Sequence, residues 1–533
     1  MKVRTDILRM YKEIHGWVGI VSGLALFIAF FAGAITMFEE PLQRWASAPS
    51  ELADPVPLER APELIARVVQ AHPEAAQRYD IHIATGPEQP ARMSWTVRGG
   101  GDDHAAVPRT YYAALAPDGS VQVEEKGPSP VAQFVDVLHQ HVGLPFPPEV
   151  SLPIMGGISL LYAIAIISGV IVLLPSLVSD LFALRIGRNV KRMWLDLHNV
   201  LGILSVPFHM VMALTAVVFA FHDQFYDLQG ATFARGMSAP AEEVAGPPEV
   251  EQRAPLAPAE MLRRIEAQAP GFKVRSISYE NEPDGHMHVR VQGSDPRYGH
   301  RAPTYGLAEA DAFTGAFTET DYMPGRQDGW GATVTSFFAL HFGNFGGAGV
   351  RWAYFLLGMA GAFLFYTGNL LWIESRRKRE RKAGAVEQTR STRILGSLTV
   401  GVPLGCVAGI AVTVAAAKPL GLAATPGLHS AIYFAVFVSF TAWSLLRGAP
   451  RAALELLPAT AAALLLIPTA SLAYMGSHPP AVPLLDAMAI AAVVFIAFAW
   501  RSALSRARSH PRDSIWVLPA LHAAKHEPQL ERV

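Results

Sequence analysis

Long apolar runs separated by polar segments dominate the pattern of this chain. A membrane-spanning helix needs about 20 mostly apolar residues, and eight runs reach that length. They lie at 16–38, 154–175, 198–220, 352–373, 394–416, 429–446, 452–474 and 483–500. The first run is too long for a secretion signal, and no small-residue cleavage site precedes Glu39. The pattern predicts a mainly α membrane protein with an eight-helix transmembrane bundle whose first helix is retained.

Two long polar segments, 39–153 and 221–351, separate the first four runs and resemble each other in order. Each begins with an amphipathic helix pattern, PLERAPELIARVVQAHP in one and PLAPAEMLRRIEAQAP in the other. Three strand-like segments follow, and the last contains a turn signal, Asp118-Gly119 or Thr314-Gly315. We therefore expect one small α+β domain in each polar segment.

The spans around these domains repeat short motifs at matching positions. The matched sets are His15, Gly19 and Ser22 with His198, Gly202 and Ser205; Leu138-His139 with Leu340-His341; and Ser168-Gly169 with Thr367-Gly368. Recurrence of several motifs in the same order indicates an internal repeat. The predicted architecture is span, domain, span (1–38, 39–153, 154–175), then the same again (198–220, 221–351, 352–373), then four additional spans in 394–503.

The basic residues predict the orientation. They cluster at Lys2–Lys12, Arg185–Arg192, Arg376–Lys382, Arg447–Arg451 and Arg501–Arg512. These clusters fall at every second membrane boundary, and short cytoplasmic loops collect Lys and Arg. Both termini, the loop 374–393 and the tail 504–533 are therefore expected in the cytoplasm. The two domains are then expected in the periplasm, which makes the chain a multi-pass protein of a bacterial inner membrane.

Composition narrows the chemistry. Of the 533 residues, 51% are hydrophobic and 17% are charged, against about a quarter charged in soluble domains. The net charge of -1 gives no basic surface for nucleic acid. The single cysteine, Cys406, excludes disulfide frameworks, Cys-ligated iron–sulfur clusters and covalent CxxCH haem attachment. Metal chemistry would have to use carboxylates or some of the 18 histidines.

Five histidines stand at matched or membrane-embedded positions. His15 and His198 are predicted at cytoplasmic span ends, and His139 and His341 just outside the periplasmic ends. His209 follows His198 by 11 residues in the same span. That spacing is close to three helical turns, so the two residues lie on the same face of the helix, about 16 Å apart along its axis.

Neutral imidazole is a good axial ligand for haem iron, and intramembrane ionisable residues are usually functional. We therefore predict two haems, one held by His15 and His198 and the other by His139 and His341. His209 is an alternative ligand for the outer haem, and His141 is expected to be solvated. A histidine at a helix end also often contacts only backbone carbonyls or headgroups. For His209, a hydrogen bond to a neighbouring helix is an open alternative.

Several motifs resemble the PepSY-associated transmembrane family, which includes iron-regulated inner-membrane proteins and ferric-siderophore reductases. They are His15-Gly-Trp17-Val-Gly19, Asp196-Leu-His198-Asn-x-x-Gly202, Pro207-Phe-His209, and Leu340-His341-Phe-Gly343 with Gly346-Gly347. The resemblance covers about residues 5–380. It implies a PepSY fold for each periplasmic domain, bound haem b, and reduction of a ferric siderophore in the periplasm. Span one has Phe31-Ala-Gly33 where the family usually has a Thr-Gly pair.

The expected activity is that of a transmembrane ferric-siderophore reductase, an oxidoreductase. Electrons would pass from the His15 and His198 haem to the outer haem and then to a ferric siderophore or another ferric chelate. The glycine run 343–349 lacks the strand-to-helix context of a dinucleotide loop, so the donor is expected to be a quinol or a cytoplasmic reductase. The alternatives are a non-enzymatic membrane-anchored module that binds a periplasmic peptide or protein, and a transporter or an accessory for siderophore uptake.

Overall fold

The computed structural model describes residues 4–87, 89–97, 109–126, 129–177, 190–222, 224, 254–281, 287–302, 305–384, 388–474, 483–508 and 515–518. Residues 178–189, which include most of the second basic segment (Arg185–Arg192), lie outside the described residues, as do 509–514 and 519–533 of the predicted tail. The chain divides into two compact units. The membrane unit comprises Met1–Ala46, Pro130–Ala220 and Phe355–Val533, and the sheet unit comprises Ser47–Ser129 and Phe221–Tyr354.

The helices are α1 (Thr5–Thr36), α2 (Glu39–Ala46), α3 (Ala61–Ala71), α4 (Pro130–Gln140), α5 (Pro148–Leu173), α6 (Val190–Ala220), α7 (Pro258–Gln268), α8 (Gly329–Phe342), α9 (Gly347–Lys382), α10 (Arg390–Leu420), α11 (Pro426–Arg447), α12 (Ala449–Ala473) and α13 (Pro483–Ala507). Eight helices in the described part of the chain, α1, α5, α6 and α9–α13, are long and apolar enough to cross a membrane. The predicted number of spans is confirmed. Helices such as α1 and α9 extend beyond the predicted runs, because backbone hydrogen bonding continues after the apolar stretch ends.

The membrane unit joins the repeated helices to the four additional ones through α4. This short helix packs against both α1 and α11. Its buried residues Val131, Phe134 and Leu138 share an apolar core with Cys406 and Tyr433 of the additional helices. Helix α10 lies at the centre of those helices, and 78% of its most apolar stretch is buried. Two of the four additional helices, α10 and α11, therefore pack directly onto the helix that carries His139.

A polar network also connects α2 to the additional helices. The indole nitrogen of Trp45 donates to Ser471 Oγ at 2.8 Å, and Ser471 donates to Asp486 Oδ1 at 2.8 Å. The Lys418 ammonium lies 4.5 Å from the centre of the Trp45 ring. These contacts satisfy polar groups at the helix ends, where leaving them unpaired would be costly.

The sheet unit contains β1 (Arg78–His82), β2 (Met93–Val97), β3 (Arg109–Leu115), β4 (Val121–Glu125), β5 (Lys273–Asn281), β6 (Met287–Ser294), β7 (Gly306–Asp311) and β8 (Phe317–Glu319). They form one antiparallel sheet in the order β4-β3-β2-β1-β5-β6-β7-β8. The two predicted domains therefore meet at β1 and β5, where Tyr79 pairs with Tyr279 and their rings stack at 5.1 Å.

Each half of the sheet has four strands where the sequence indicated three segments, because the third segment folds into a hairpin. The turns occur at the predicted glycines, Gly119 with φ 83° and Gly315 with φ 70°. Such positive φ values favour glycine. Helices α3 and α7 contribute Leu64 and Met261 to the apolar core on one side of the sheet. On the other side, β1 and β5 present polar residues such as Asp80 and Ser278, and β3 adds a small apolar cluster around Tyr112 and Ala114.

Candidate functional site

The rings of His15 and His198 lie side by side in the membrane unit. Their centres are 6.2 Å apart and their planes are inclined by 76°. Two imidazoles on opposite sides of one iron, with metal–nitrogen bonds of about 2 Å, would have ring centres about 6 Å apart. The separation of these rings therefore fits the pair of axial ligands that the sequence predicted.

Neighbouring acceptors fix which ring nitrogen carries the proton. His15 Nδ1 lies 2.9 Å from the Ala165 carbonyl oxygen, with Ser168 Oγ at 3.4 Å. His198 Nδ1 lies 3.1 Å from Thr367 Oγ1, whose own proton is donated to the Leu364 carbonyl. Both acceptors therefore require a protonated Nδ1. Each Nε2 then carries the lone pair, as metal ligation needs.

Glycines leave room beside both rings. A Cβ on Gly169 would lie 3.0 Å from His15 Cε1, and a Cβ on Gly368 would lie 3.6 Å from His198 Cε1. One turn beyond His15, a Cβ on Gly19 would meet nothing within 4 Å. One turn beyond His198, a Cβ on Gly202 would meet only a leucine methyl, at 3.9 Å. The helix faces that carry the imidazoles are therefore open, as a flat macrocycle between them would require.

His139 uses the same mode of attachment further along α1. It lies in the last turn of α4, and its Nδ1 is 2.8 Å from the Ala29 carbonyl oxygen. A Cβ on Gly33 would lie 2.8 Å from that nitrogen. His15 and Ala29 are 14 residues apart on α1, which is about 21 Å along a helix. The two imidazole levels are therefore separated by much of a bilayer core.

The three attachment sites share one register. Each site has a residue with an acceptor carbonyl, then a small or hydroxyl residue three positions later, and then a glycine. The three sets are Ala165, Ser168 and Gly169; Leu364, Thr367 and Gly368; and Ala29, Ala32 and Gly33. The first span replaces the hydroxyl with Ala32, which is the departure seen at Phe31-Ala-Gly33. The sequence marked Ser168-Gly169 and Thr367-Gly368 as repeats, but their role in seating imidazoles becomes visible only in the structure.

His209 is the most enclosed imidazole of the five, with 3% of its surface exposed. Its Nδ1 is hydrogen-bonded to the Tyr162 hydroxyl at 2.5 Å, which is the neighbouring-helix bond that the sequence left open. Its Nε2 is buried without a partner. Phe30 and Phe365 pack around it, with ring centres at 5.5 and 6.4 Å. An unpaired buried nitrogen costs about 1–3 kcal/mol, so His209 is also suited to receive a ligand.

His141 does not behave as predicted. It is only 8% exposed, so the expectation that it is solvated is wrong. Burial lowers the pKa of the ring below its ordinary value, and the nearby Phe146 carbonyl partly opposes that shift. The next residue, Val142, has φ 48°, a left-handed conformation that is unfavourable for a β-branched side chain. No local pattern in the sequence predicted this buried turn.

His341 lies on α8, in the last turn before Gly343 ends the helix with φ 61°. Both His139 and His341 are therefore helical residues rather than loop residues. The short helices α4 and α8 were missed because they fall below the length of a membrane span. His341 belongs to the sheet unit and His139 to the membrane unit, and their pairing stays a prediction.

Paired imidazoles are the donor set that a haem iron with two axial histidines would need. In the described ranges, no group of three or more His, Cys, Asp or Glu side chains could hold a metal ion. The paired imidazoles, with their oriented Nδ1–H bonds and glycine-lined faces, match an iron that receives its remaining ligands from a porphyrin. The residues that would hold it are His15 and His198 at one level and His139 at the other.

Comparison with known proteins agrees with this arrangement of repeated spans. Among curated proteins, none matches the chain. The family model described as the PepSY-associated TM region matches residues 12–375. This range includes all five histidines and both halves of the sheet, and it ends before the four additional helices. Because the match covers more than half of the chain, the protein belongs to the PepSY-associated transmembrane family.

Proposed function

We propose that this chain is a di-haem b-type electron-transfer protein of the bacterial inner membrane. In this proposal it reduces a ferric siderophore, or another ferric chelate, in the periplasm and thereby releases iron. The observation that carries the proposal is the pair of rings at 6.2 Å, His15 and His198, each with Nδ1 directed to an acceptor. The second imidazole level, about 21 Å along α1 from the first, supports a path across the bilayer.

Haem, when bound, supplies reversible one-electron chemistry at a potential set by its ligands and surroundings. The chain's own residues would do three things there. Ala165, Thr367 and Ala29 orient the imidazoles through their Nδ1 atoms, which also makes Nε2 a better donor. Gly33, Gly169 and Gly368 leave space for the porphyrin ring beside the imidazoles. Phe30 and Phe365 keep water away from the region around His209.

The orientation in this proposal comes from the basic segments, which the positive-inside rule places in the cytoplasm. The ends of α9 and α11 carry such residues, including Arg379, Lys382 and Arg447. The sheet unit would then face the periplasm. Release of iron on reduction is expected, because hard oxygen donors bind the ferric ion better than the softer ferrous ion.

The test is the visible spectrum of protein purified from haem-replete cells. The proposal expects a Soret band, a reduced α-band and two haems per chain. His198→Ala should remove one haem and His341→Ala the other. Full haem content in both variants would overturn the ligand assignment. Colourless wild-type protein would overturn the reductase and favour the alternative, a membrane-anchored module that binds a periplasmic peptide or protein.

A further inference from the structure

A half-open cavity of about 300 Å³ lies between α4 and α11. Its walls are apolar and include Phe134, Leu138 and Phe434. Two polar side chains line it, His141 from the turn after α4 and Ser430 from α11. The cavity therefore combines an apolar interior with one imidazole and one hydroxyl, which is typical of a small-molecule site.

The rim of the cavity is apolar as well. Val137 is 39% exposed and Phe146 is 48% exposed, and both line the cavity. Ser430 lies in the second turn of α11, a helix long and apolar enough to span a membrane. Exposed apolar side chains at the opening of a site indicate contact with lipid rather than with water. A ligand that reaches this cavity should therefore be lipid-soluble.

We propose that this cavity binds the ring of a membrane quinol. A quinol has a flat apolar ring, which suits the space between Phe134 and Phe434, and hydroxyl groups that need hydrogen-bond partners. A neutral imidazole has one acceptor nitrogen, so the His141 ring can accept a hydrogen bond from one hydroxyl of the quinol. Ser430 can donate to or accept from the second oxygen. A lipid acyl chain would use neither polar group, so the polar pair favours the quinol.

The position of the cavity connects it to the proposed haem ligands. Leu138, in its wall, directly precedes His139, and His141 follows two residues later. A quinol bound there would lie beside the His139 level. Its oxidation to quinone breaks two O–H bonds and releases two protons to water at that membrane boundary. The two electrons would reduce two ferric haems to the ferrous state, one electron each, so that the donor enters at the outer level and not at the His15 and His198 level that the sequence predicted. The redox step, but not the binding, thus rests on the proposed function.

This inference gives the additional helices a role. Ser430, Ala431 and Phe434 of α11 form one side of the cavity, and the family match ends before them, at residue 375. Tyr433 on the same helix packs against Phe134, with ring centres 5.6 Å apart. The additional helices would therefore complete a donor site beside α4.

The test is photolabelling of the full-length protein in liposomes with an azidoquinone. We expect label in the peptides that contain Phe134 to Phe146 or Pro426 to Phe434. Ala431→Trp, which fills the opening, should reduce labelling at least tenfold. The matched control is Val438→Trp, on the same helix at a position 58% exposed and outside the cavity lining; it should label normally. Excess unlabelled quinone should compete, and a polyprenol without the quinone ring should not.

Haem reduction provides the second readout. In wild type and Val438→Trp, a short-chain quinol should reduce the haem, whereas Ala431→Trp should respond only to dithionite. Label elsewhere in the chain, unchanged labelling in Ala431→Trp, or competition by polyprenol would overturn the quinol site. Protein that labels as expected but shows no Soret band would instead overturn the proposed function and leave the binding site in place.

Discussion

Adding one methyl group at Gly33 tests whether the glycines seat the imidazoles. In the Gly33→Ala variant the new Cβ would lie 2.8 Å from His139 Nδ1 and 2.9 Å from Cε1. Ordinary contacts to such atoms begin at 3.4 Å, so the ring has to move by at least 0.6 Å, the difference between 3.4 and 2.8. That movement acts directly on the 2.8 Å contact between Nδ1 and the Ala29 carbonyl oxygen.

The same arithmetic gives a graded series. At Gly169 the new Cβ would lie 3.0 Å from His15 Cε1, which requires a shift of 0.4 Å, and at Gly368 it would lie 3.6 Å from His198 Cε1, which requires none. Overpacking of this kind typically costs about 1–3 kcal/mol. Loss of the partner that orients a ligating histidine typically lowers metal affinity about 10–100-fold. We therefore expect the effect to decrease in the order Gly33→Ala, Gly169→Ala, Gly368→Ala.

The assay is titration of haem-depleted protein with hemin, followed in the Soret band, together with the haem-to-protein ratio of protein purified from cells. Gly33→Ala should retain the haem at the His15 and His198 level and lose affinity at the other level. Gly157→Ala is the control, because it lies on the same helix as Gly169 and its Cβ would meet nothing within 4 Å. Equal hemin affinity in all four variants, or a loss in Gly368→Ala larger than in Gly33→Ala, would refute the reasoning.

Three further predictions concern single side chains. Tyr162→Phe leaves His209 Nδ1 buried without its partner and should lower the free energy of unfolding by about 1–3 kcal/mol. Thermal unfolding in nanodiscs measures this change, and an unchanged unfolding transition would contradict the buried hydrogen bond. Burial lowers the pKa of His82 to about 4 from 6.5, so the unfolded chain takes up a proton first as pH falls from 6.5 to 4. The free energy of unfolding of the sheet unit should therefore fall by up to about 3 kcal/mol between pH 6.5 and pH 4. Hydrogen exchange should show decreasing protection of the β1 amides over this range, and His82→Asn should abolish the decrease. Gly293→Ala would place Cβ 2.6 Å from the Lys273 carbonyl oxygen and should destabilise the β5–β6 pairing by about 1–3 kcal/mol, while normal exchange in β5 would contradict this.

Much of the fold could be predicted because its signals are local. The apolar runs predicted all eight spans, since a chain in lipid must satisfy its backbone hydrogen bonds within a helix. The turn glycines at 119 and 315 also marked their hairpins, since few other residues adopt a positive φ there. The repeat of His15 and His198 was visible as spacing, and the structure places those two rings side by side.

Contacts between distant segments could not be predicted in the same way. The pairing of Tyr79 with Tyr279 joins strands about 200 residues apart, and neither strand carries a local mark of its partner. The burial of His141 was missed for a related reason, because it depends on a turn with Val142 at positive φ, which no residue preference predicts. The absence of a hydroxyl at Ala32 was visible, but the closeness of the next residue, Gly33, to His139 was not.

The number of spans, the repeated order of helices and strands, and the residue types available to hold a cofactor all followed from local patterns along the chain. Apolar length, alternation and turn chemistry act over a few residues, so they can be read from the chain. Only the tertiary structure decided that His139 reaches Gly33 from α4, that the two strand groups form one sheet, and that α11 closes a cavity beside α4. Those outcomes depend on which surfaces fit together, and that fit depends on the shapes of helices far apart in sequence.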